Sequence, residues 1–139
     1  MHSRIASRAV STLACMSLLC LPVAAGAEEI ADYTGPQLFQ RYCASCHGKT
    51  AEGDGPVAKT FRMDVPDLTR IAKRRGGEFP RDLVRRVIDG TDVKAPHGSR
   101  EMPVWGQDFW VAQGADDKAR QQTSLLIYRL VEYLALLQR

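Results

Sequence analysis

The 139-residue chain carries 19 basic and 16 acidic side chains, a formal charge of +3 at pH 7, and no long repeat, low-complexity tract or linker divides it. It is long enough for one small domain but short for a large core built from protein alone. So modest a charge leaves no pervasive positive field of the kind that marks nucleic-acid binders.

Arg4 and Arg8 precede the short apolar run from Ala9 to Leu21, and Ala25-Gly26-Ala27 fits a small-x-small cleavage site, so residues 1–27 read as a secretory signal peptide. A transmembrane anchor needs about twenty predominantly apolar residues. This run is shorter and is broken by Ser11, Thr12 and Ser17. Cleavage after Ala27 removes Cys15, Cys20 and two of the 19 bases, leaving residues 28–139 with 17 basic against 16 acidic side chains. Only Cys43 and Cys46 then remain as thiols, too few for a disulfide framework in the periplasm where the mature domain is expected.

Thr34 as N-cap and Pro36 in the first turn begin a helix that carries Leu38, Phe39 and Tyr42 into Cys43-Ala44-Ser45-Cys46-His47. C-x-x-C-H is the attachment signature of c-type haem. On a helix, Cys43 lies three residues before Cys46 and four before His47, so the three side chains share one face. One porphyrin edge then meets both sulfurs, each forming a thioether with a vinyl group, while His47 becomes the proximal iron ligand. Two other chemistries use C-x-x-C. Zinc requires about four ligands, yet beyond the first twenty residues there is no second cysteine pair and no other histidine but His97. A thioredoxin-like redox pair needs βαβ context, and no alternating strand pattern surrounds the motif.

Gly48 and the Glu52-Gly53-Asp54-Gly55-Pro56 stretch end the helix in a tight loop beneath the proximal side. Asp67 caps a short helix running to Arg75, which Gly76-Gly77 terminates. Pro80, Leu83, Val84, Val87 and Ile88 give the next helix its apolar face; it stops at Gly90 and turns its arginines outward. Thr91 to Gln107, rich in Pro and Gly, reads as loop. Asp116 or Asp117 starts the last helix, in which Leu126, Ile127, Leu130, Val131, Leu134 and Leu137 recur at helical spacing on a face expected to pack on Leu38 and Phe39. The expected architecture is all-α, with N- and C-terminal helices packed together around one covalently bound haem and functional loops between helices.

The sixth iron position separates an electron carrier from a gas binder or enzyme. Met102 leads the candidates, because its irregular segment, Arg100-Glu101-Met102-Pro103-Val104-Trp105-Gly106, is far enough from the motif to return over the opposite haem face. Pro103 also favours an extended Met102. Met63 and His97 are alternative ligands, and an open position near His97 and Arg100 would instead suit peroxide or nitric oxide chemistry. Arg70, Lys73, Arg74, Arg75, Arg81, Arg85 and Arg86 crowd a stretch whose only acids are Glu78 and Asp82. Solvated helix faces are the first reading of that cluster; a docking patch for an acidic partner and neutralisation of haem propionates are the others.

Taken in order, C-A-S-C-H at 43–47, Gly53-Asp54-Gly55-Pro56, Pro66-Asp67-Leu68, Met102-Pro103-Val104-Trp105-Gly106 and the terminal helix with Tyr128 and Leu130 resemble the single-haem class I c-type cytochromes, especially bacterial periplasmic ones. The resemblance spans essentially all of 30–139. It implies that the Pro56 carbonyl accepts from the free nitrogen of His47 and that Trp105 lies near the haem or a propionate. The cofactor implied is one haem c ligated by His47 and Met102. The implied activity is outer-sphere transfer of one electron between a redox donor and acceptor, with no substrate bond broken and hence no enzyme activity. A free carrier and a fixed subunit of a dehydrogenase or oxidase both satisfy it.

Overall fold

The computed structural model describes residues 29–91 and 102–139. The leader, His97 and Arg100 lie outside the described residues. Among the described residues every regular element is helical and none is a strand. In chain order they are α1 (Gly35–Leu38), a π turn (Phe39–Cys43), α2 (Ala44–His47), α3 (Ile71–Arg74), α4 (Arg81–Asp89), α5 (Trp105–Ala112) and α6 (Asp117–Leu136), with short 3-10 turns at Ile30–Asp32, Ala58–Thr60 and Leu68–Arg70. The all-α expectation therefore holds.

The long helix α6 is the spine, and α1, α4 and α5 all pack on it. It starts where the sequence places it: Asp116 is the N-cap, its carboxylate accepting from the Ala119 N–H at 2.6 Å. Thr123, Leu126, Ile127, Leu130, Val131 and Leu134 are buried along one side, the three- and four-residue spacing that gives a helix a single apolar stripe. Each leucine so buried contributes about 1.5–3 kcal/mol relative to exposure. Against this stripe lie the fully buried Leu38 and Phe39, the contact expected from the sequence. Phe39 also meets the Tyr133 ring at 5.6 Å between centroids.

The α1–α6 crossing is closer than an ordinary side chain permits. A Cβ on Gly35 would lie 2.5 Å from the Arg129 carbonyl oxygen and 2.8 Å from the Tyr133 Cβ. Thr34 starts α1 with a reciprocal capping box, its side chain paired to the Gln37 N–H and the Gln37 side chain to the Thr34 N–H. The Arg129 guanidinium then fastens the entering chain to α6, donating to the carbonyls of Ala31 at 2.7 Å and Tyr33 at 2.9 Å.

Four details depart from the sequence reading. The helix leading into the motif is not uniform: at Phe39–Cys43 it widens into a π turn, closed by the Ala44 N–H to the Phe39 carbonyl. The Asp67–Arg75 helix is a 3-10 turn followed by one α turn, because Asp67 caps at its second residue, Thr69, and tightens the start. Val87 is 47% exposed, so the apolar face of α4 is narrowed to Val84 and Ile88 with Leu83 beside them. Finally, the loop expected to run to Gln107 ends earlier, since α5 begins at Trp105. Pro103 and Gly106 read as loop punctuation, but burial of Phe109 and its stacking on Trp105, 5.7 Å between centroids, fold the segment as a helix. Here tertiary packing overrides local propensity.

Candidate functional site

Cys43 ends the π turn, and Cys46 and His47 lie on α2 immediately after it, so backbone geometry brings the three motif residues within one helical turn. Such π turns occur often where a helix carries a functional residue. Both cysteines are half-buried and free of any disulfide. Burial pushes the Cys43 thiol up to about 12, with the neighbouring Cys46 adding to the effect. At neutral pH Cys43 is therefore a protonated thiol. Among the described residues no group of three or more His, Cys, Asp or Glu side chains is arranged to hold a metal ion. Neither the zinc reading nor, with no strand among those residues, the thioredoxin-like one finds its context here.

The helix is stopped by Gly48, and the chain then folds back beneath the motif. The N–H groups of Gly53, Gly55 and Val57 donate to the carbonyls of His47 at 2.8 Å, Cys46 at 3.1 Å and Ser45 at 3.1 Å, satisfying the open end of α2. Gln40 adds a side-chain bond to the Lys49 carbonyl at 3.0 Å. Gly55 is required by this approach, because a Cβ there would collide with the Ser45 and Cys46 carbonyl oxygens. Between these bonds Ala51 is wholly buried in a left-handed conformation at φ 65°, unusual for a residue with a Cβ, and its carbonyl accepts from Leu68 N–H at 2.8 Å.

That last bond determines where the partner of His47 comes from. His47 Nδ1 lies 3.3 Å from the carbonyl oxygen of Pro66, not of Pro56. The Pro56 expectation is thus corrected. The loop containing Pro56 is engaged with the backbone carbonyls of α2, while Gly53 abuts the Val65 carbonyl so closely that a Cβ there would overlap it, which seats the Val65-Pro66 step beside the imidazole. With Nδ1–H donating to Pro66, Nε2 keeps its lone pair. Burial lowers the His47 pKa, and the Pro66 bond offsets this only partly, so the ring is neutral at pH 7. Two unbridged thiols and a neutral, oriented imidazole on one turn fit the donor set for haem attached through thioethers.

The segment bearing Met102 returns towards the same helix. Met102 is half-buried and packs against the hydrophobic core, as Tyr42 and Cys43 also do, whereas Met63 is 55% exposed. Three residues on, the Trp105 ring sits edge-on to Tyr42 at 5.5 Å, and Phe109 meets Tyr42 at 5.1 Å. These rings fasten the start of α5 beside Cys43. Tyr128 is 60% exposed and Leu130 is buried, so of the two terminal-helix residues only Leu130 belongs to the core. Gln138 and Arg139, which sequence reasoning passed over, grip the 68–72 turn. Polar residues following an amphipathic helix carry no periodic signal that would single them out.

Comparison with known families gives a match over most of the chain. The model for cytochrome c oxidase, cbb3-type, subunit III, covers residues 31–117. No curated protein and no solved structure matches the chain.

Proposed function

The chain belongs to the family of cbb3-type cytochrome c oxidase subunit III, c-type cytochromes that transfer electrons on covalently bound haem c, and on that premise we propose that it is a periplasmic one-electron carrier. A single haem is held through thioethers to Cys43 and Cys46, with His47 and Met102 as the iron ligands. When bound, the haem supplies a reversible ferrous–ferric couple.

One observation carries the reading: two free, half-buried thiols share a helical turn with an imidazole whose Nδ1 is engaged by the Pro66 carbonyl. The thiols retain the cofactor, and the Pro66 carbonyl fixes the ring and raises its basicity as a ligand. Half-burial against the same core that Tyr42 and Cys43 pack on favours Met102 over the exposed Met63. A neutral thioether prefers ferrous iron more than a second imidazole does, so Met102 ligation raises the potential above that of a bis-histidine site. Residues 1–27, read as a cleaved leader, support export. Among the described residues no helix is long and apolar enough to cross a membrane.

The surface favours a docked subunit of an oxidase over a free carrier. On α4, the exposed Val87 sits among Arg85 and Arg86, and the Arg81 Nε to Glu132 Oε1 bond at 2.9 Å joins that basic face to the side of α6 that exposes Leu125 and Tyr128. Cations mixed with exposed apolar side chains suit a held interface better than an encounter steered by charge alone.

An optical spectrum of the mature protein, oxidised and reduced, with and without carbon monoxide, tests the assignment. The expected result is a c-type spectrum with a weak far-red sulfur-to-iron band when oxidised and no carbon monoxide response when reduced. A prompt carbon monoxide shift would overturn the Met102 ligation, and absence of covalent haem would overturn the whole reading.

A further inference from the structure

We infer that Gln138 and Arg139 are positioning residues for His47: they hold the turn that carries the Pro66 carbonyl and thereby tune the iron ligand from the far end of the sequence. The inference rests on the proposed ligation by His47. Proline has no N–H, so the Pro66 peptide is held through its neighbours. On the downstream side Gln138 Nε2 donates to the Leu68 carbonyl at 2.9 Å and to Leu134 at 2.7 Å, while its Oε1 accepts from Ala72 N–H at 2.9 Å. Both ends of this amide are therefore committed, the nitrogen to α6 and the 68–72 turn together and the oxygen to the turn.

Arg139 grips the same turn twice, its backbone N–H donating to the Thr69 carbonyl at 3.0 Å and its Nε to Thr69 Oγ1 at 3.1 Å. Thr69 is only 4% exposed and donates its hydroxyl to Asp67 Oδ1 at 2.6 Å, one residue from Pro66. The other end of the Arg139 guanidinium pairs with Glu52, beside the Gly53 N–H that bonds the His47 carbonyl. One side chain thus bridges the two chain segments that bracket the imidazole.

The bond being protected is a sensitive one. At 3.3 Å the Nδ1 to Pro66 contact is already longer than the ~2.9–3.0 Å mode for N–H to O bonds. A few tenths of an ångström of drift in the 66–69 turn would abolish it. An imidazole that loses this acceptor becomes a poorer donor to iron, which stabilises the ferric state less and raises the potential.

The test uses mature, haem-loaded protein and four variants: Gln138→Ala, Gln138→Glu, Arg139→Ala and Arg129→Ala. Gln138→Glu keeps the acceptor for Ala72 and removes the donors to Leu68 and Leu134, so it releases the carbonyl side of the turn while leaving the Ala72 side held. Arg129→Ala cuts a comparable clamp on α6 that serves the Ala31 and Tyr33 carbonyls instead. Midpoint potential and the exchange rate of the His47 Nδ1 proton in the ferrous protein are read alongside melting temperature. The expected result is an upward shift in potential with faster Nδ1–H exchange in both Gln138 variants and in Arg139→Ala, and neither change in Arg129→Ala. Unchanged potential and exchange in the Gln138 and Arg139 variants would overturn the inference. So would equal shifts in Arg129→Ala at equal loss of stability. A wild-type protein without covalent haem, or whose haem spectrum survives His47 replacement, would instead overturn the ligation on which the inference stands.

Discussion

Replacing Gly35 by alanine isolates the α1–α6 crossing on which the motif helix is mounted. The added methyl would sit 2.5 Å from the Arg129 carbonyl oxygen, 3.2 Å from its carbonyl carbon and 2.8 Å from Tyr133 Cβ. Favourable separations for such pairs are about 3.5–4.0 Å between carbons, so the helices must part by something near ~0.7 Å. All three obstructing atoms belong to the α6 backbone or to a Cβ attached to it, which rules out an inexpensive rotamer change. Overpacking of this kind costs about 1–3 kcal/mol. The opposing gain, alanine over glycine in a helix, is at most ~1 kcal/mol, and smaller here because Gly35 is the first helical residue after the Thr34 cap. The steric cost wins, leaving a net loss of about 1–2 kcal/mol. Thermal unfolding of the haem-loaded protein, followed by far-UV circular dichroism, should show a midpoint lower by roughly 5–15 °C, taking 4–8 °C per kcal/mol for a domain of this size. A Gly35→Ala protein melting at or above the wild-type temperature would refute the claim that the helices touch at this glycine.

Three further outcomes follow from other parts of the molecule. Met102→Ala should keep the covalent haem but lose the far-red band of the oxidised protein and gain carbon monoxide binding; an unchanged spectrum would move the ligand elsewhere, and His97 would be replaced next. The Asp67 carboxyl is held below the usual carboxylate range, first by the Thr69 hydroxyl and also by the Thr69 N–H and Arg70. Its contribution is therefore complete above the ordinary value of about 3.9 and disappears as pH falls through the lower folded value. Asp67→Ala should cost about 1 kcal/mol at pH 7, as N-cap losses do, and urea titrations should show the gap to wild type closing only below pH 4. A gap that closed between pH 5 and 7 would mean another group is responsible. Phe109→Ala removes a 2%-exposed ring that touches both Tyr42 and Trp105, with an expected loss of about 3–5 kcal/mol. Reduced variant protein should also bind carbon monoxide where wild type does not, because the Trp105 end of the Met102 segment is loosened; a variant with no carbon monoxide response would count against that linkage.

How far the sequence could be read depended on the range of the interaction concerned. Local signals were legible: the Thr34 cap, the Asp116 cap, the left-handed Gly90 that ends α4, and the apolar stripe of α6 each involve residues within one or two turns of one another. The motif itself announces its chemistry because covalent attachment requires residue types at fixed spacing. What escaped was set by distant contacts. Either proline carbonyl could serve an imidazole, and only the fit of Gly53 against Val65 and the Ala51–Leu68 bond decide for Pro66 over Pro56. The early start of α5 rests likewise on aromatic rings supplied from the motif helix and from α5 itself. The π turn has no sequence signature, since an extra residue in a helix is recognisable only once the buried Leu38–Phe39 pair and the half-buried Tyr42–Cys43 pair must face different neighbours.

The two flanks of the motif are suspended from α6 by separate routes, and this has a consequence for how the protein tolerates change. The Pro66 side hangs on hydrogen bonds from Gln138 and Arg139 to the 68–72 turn. The Met102 side hangs on apolar packing, through Trp105 and Phe109 and the contact of α5 with α6. Hydrogen bonds each contribute roughly 0.5–1.5 kcal/mol and fix direction, whereas aromatic burial contributes more and constrains direction less sharply. That division matches what each flank must do. On the proposed ligation, an imidazole has to be held at one orientation towards its acceptor, while a thioether on a flexible methionine need only be kept near and dry. Because the routes share no residue, damage to one should leave the other standing, and the proposed thioethers would retain the cofactor in either case.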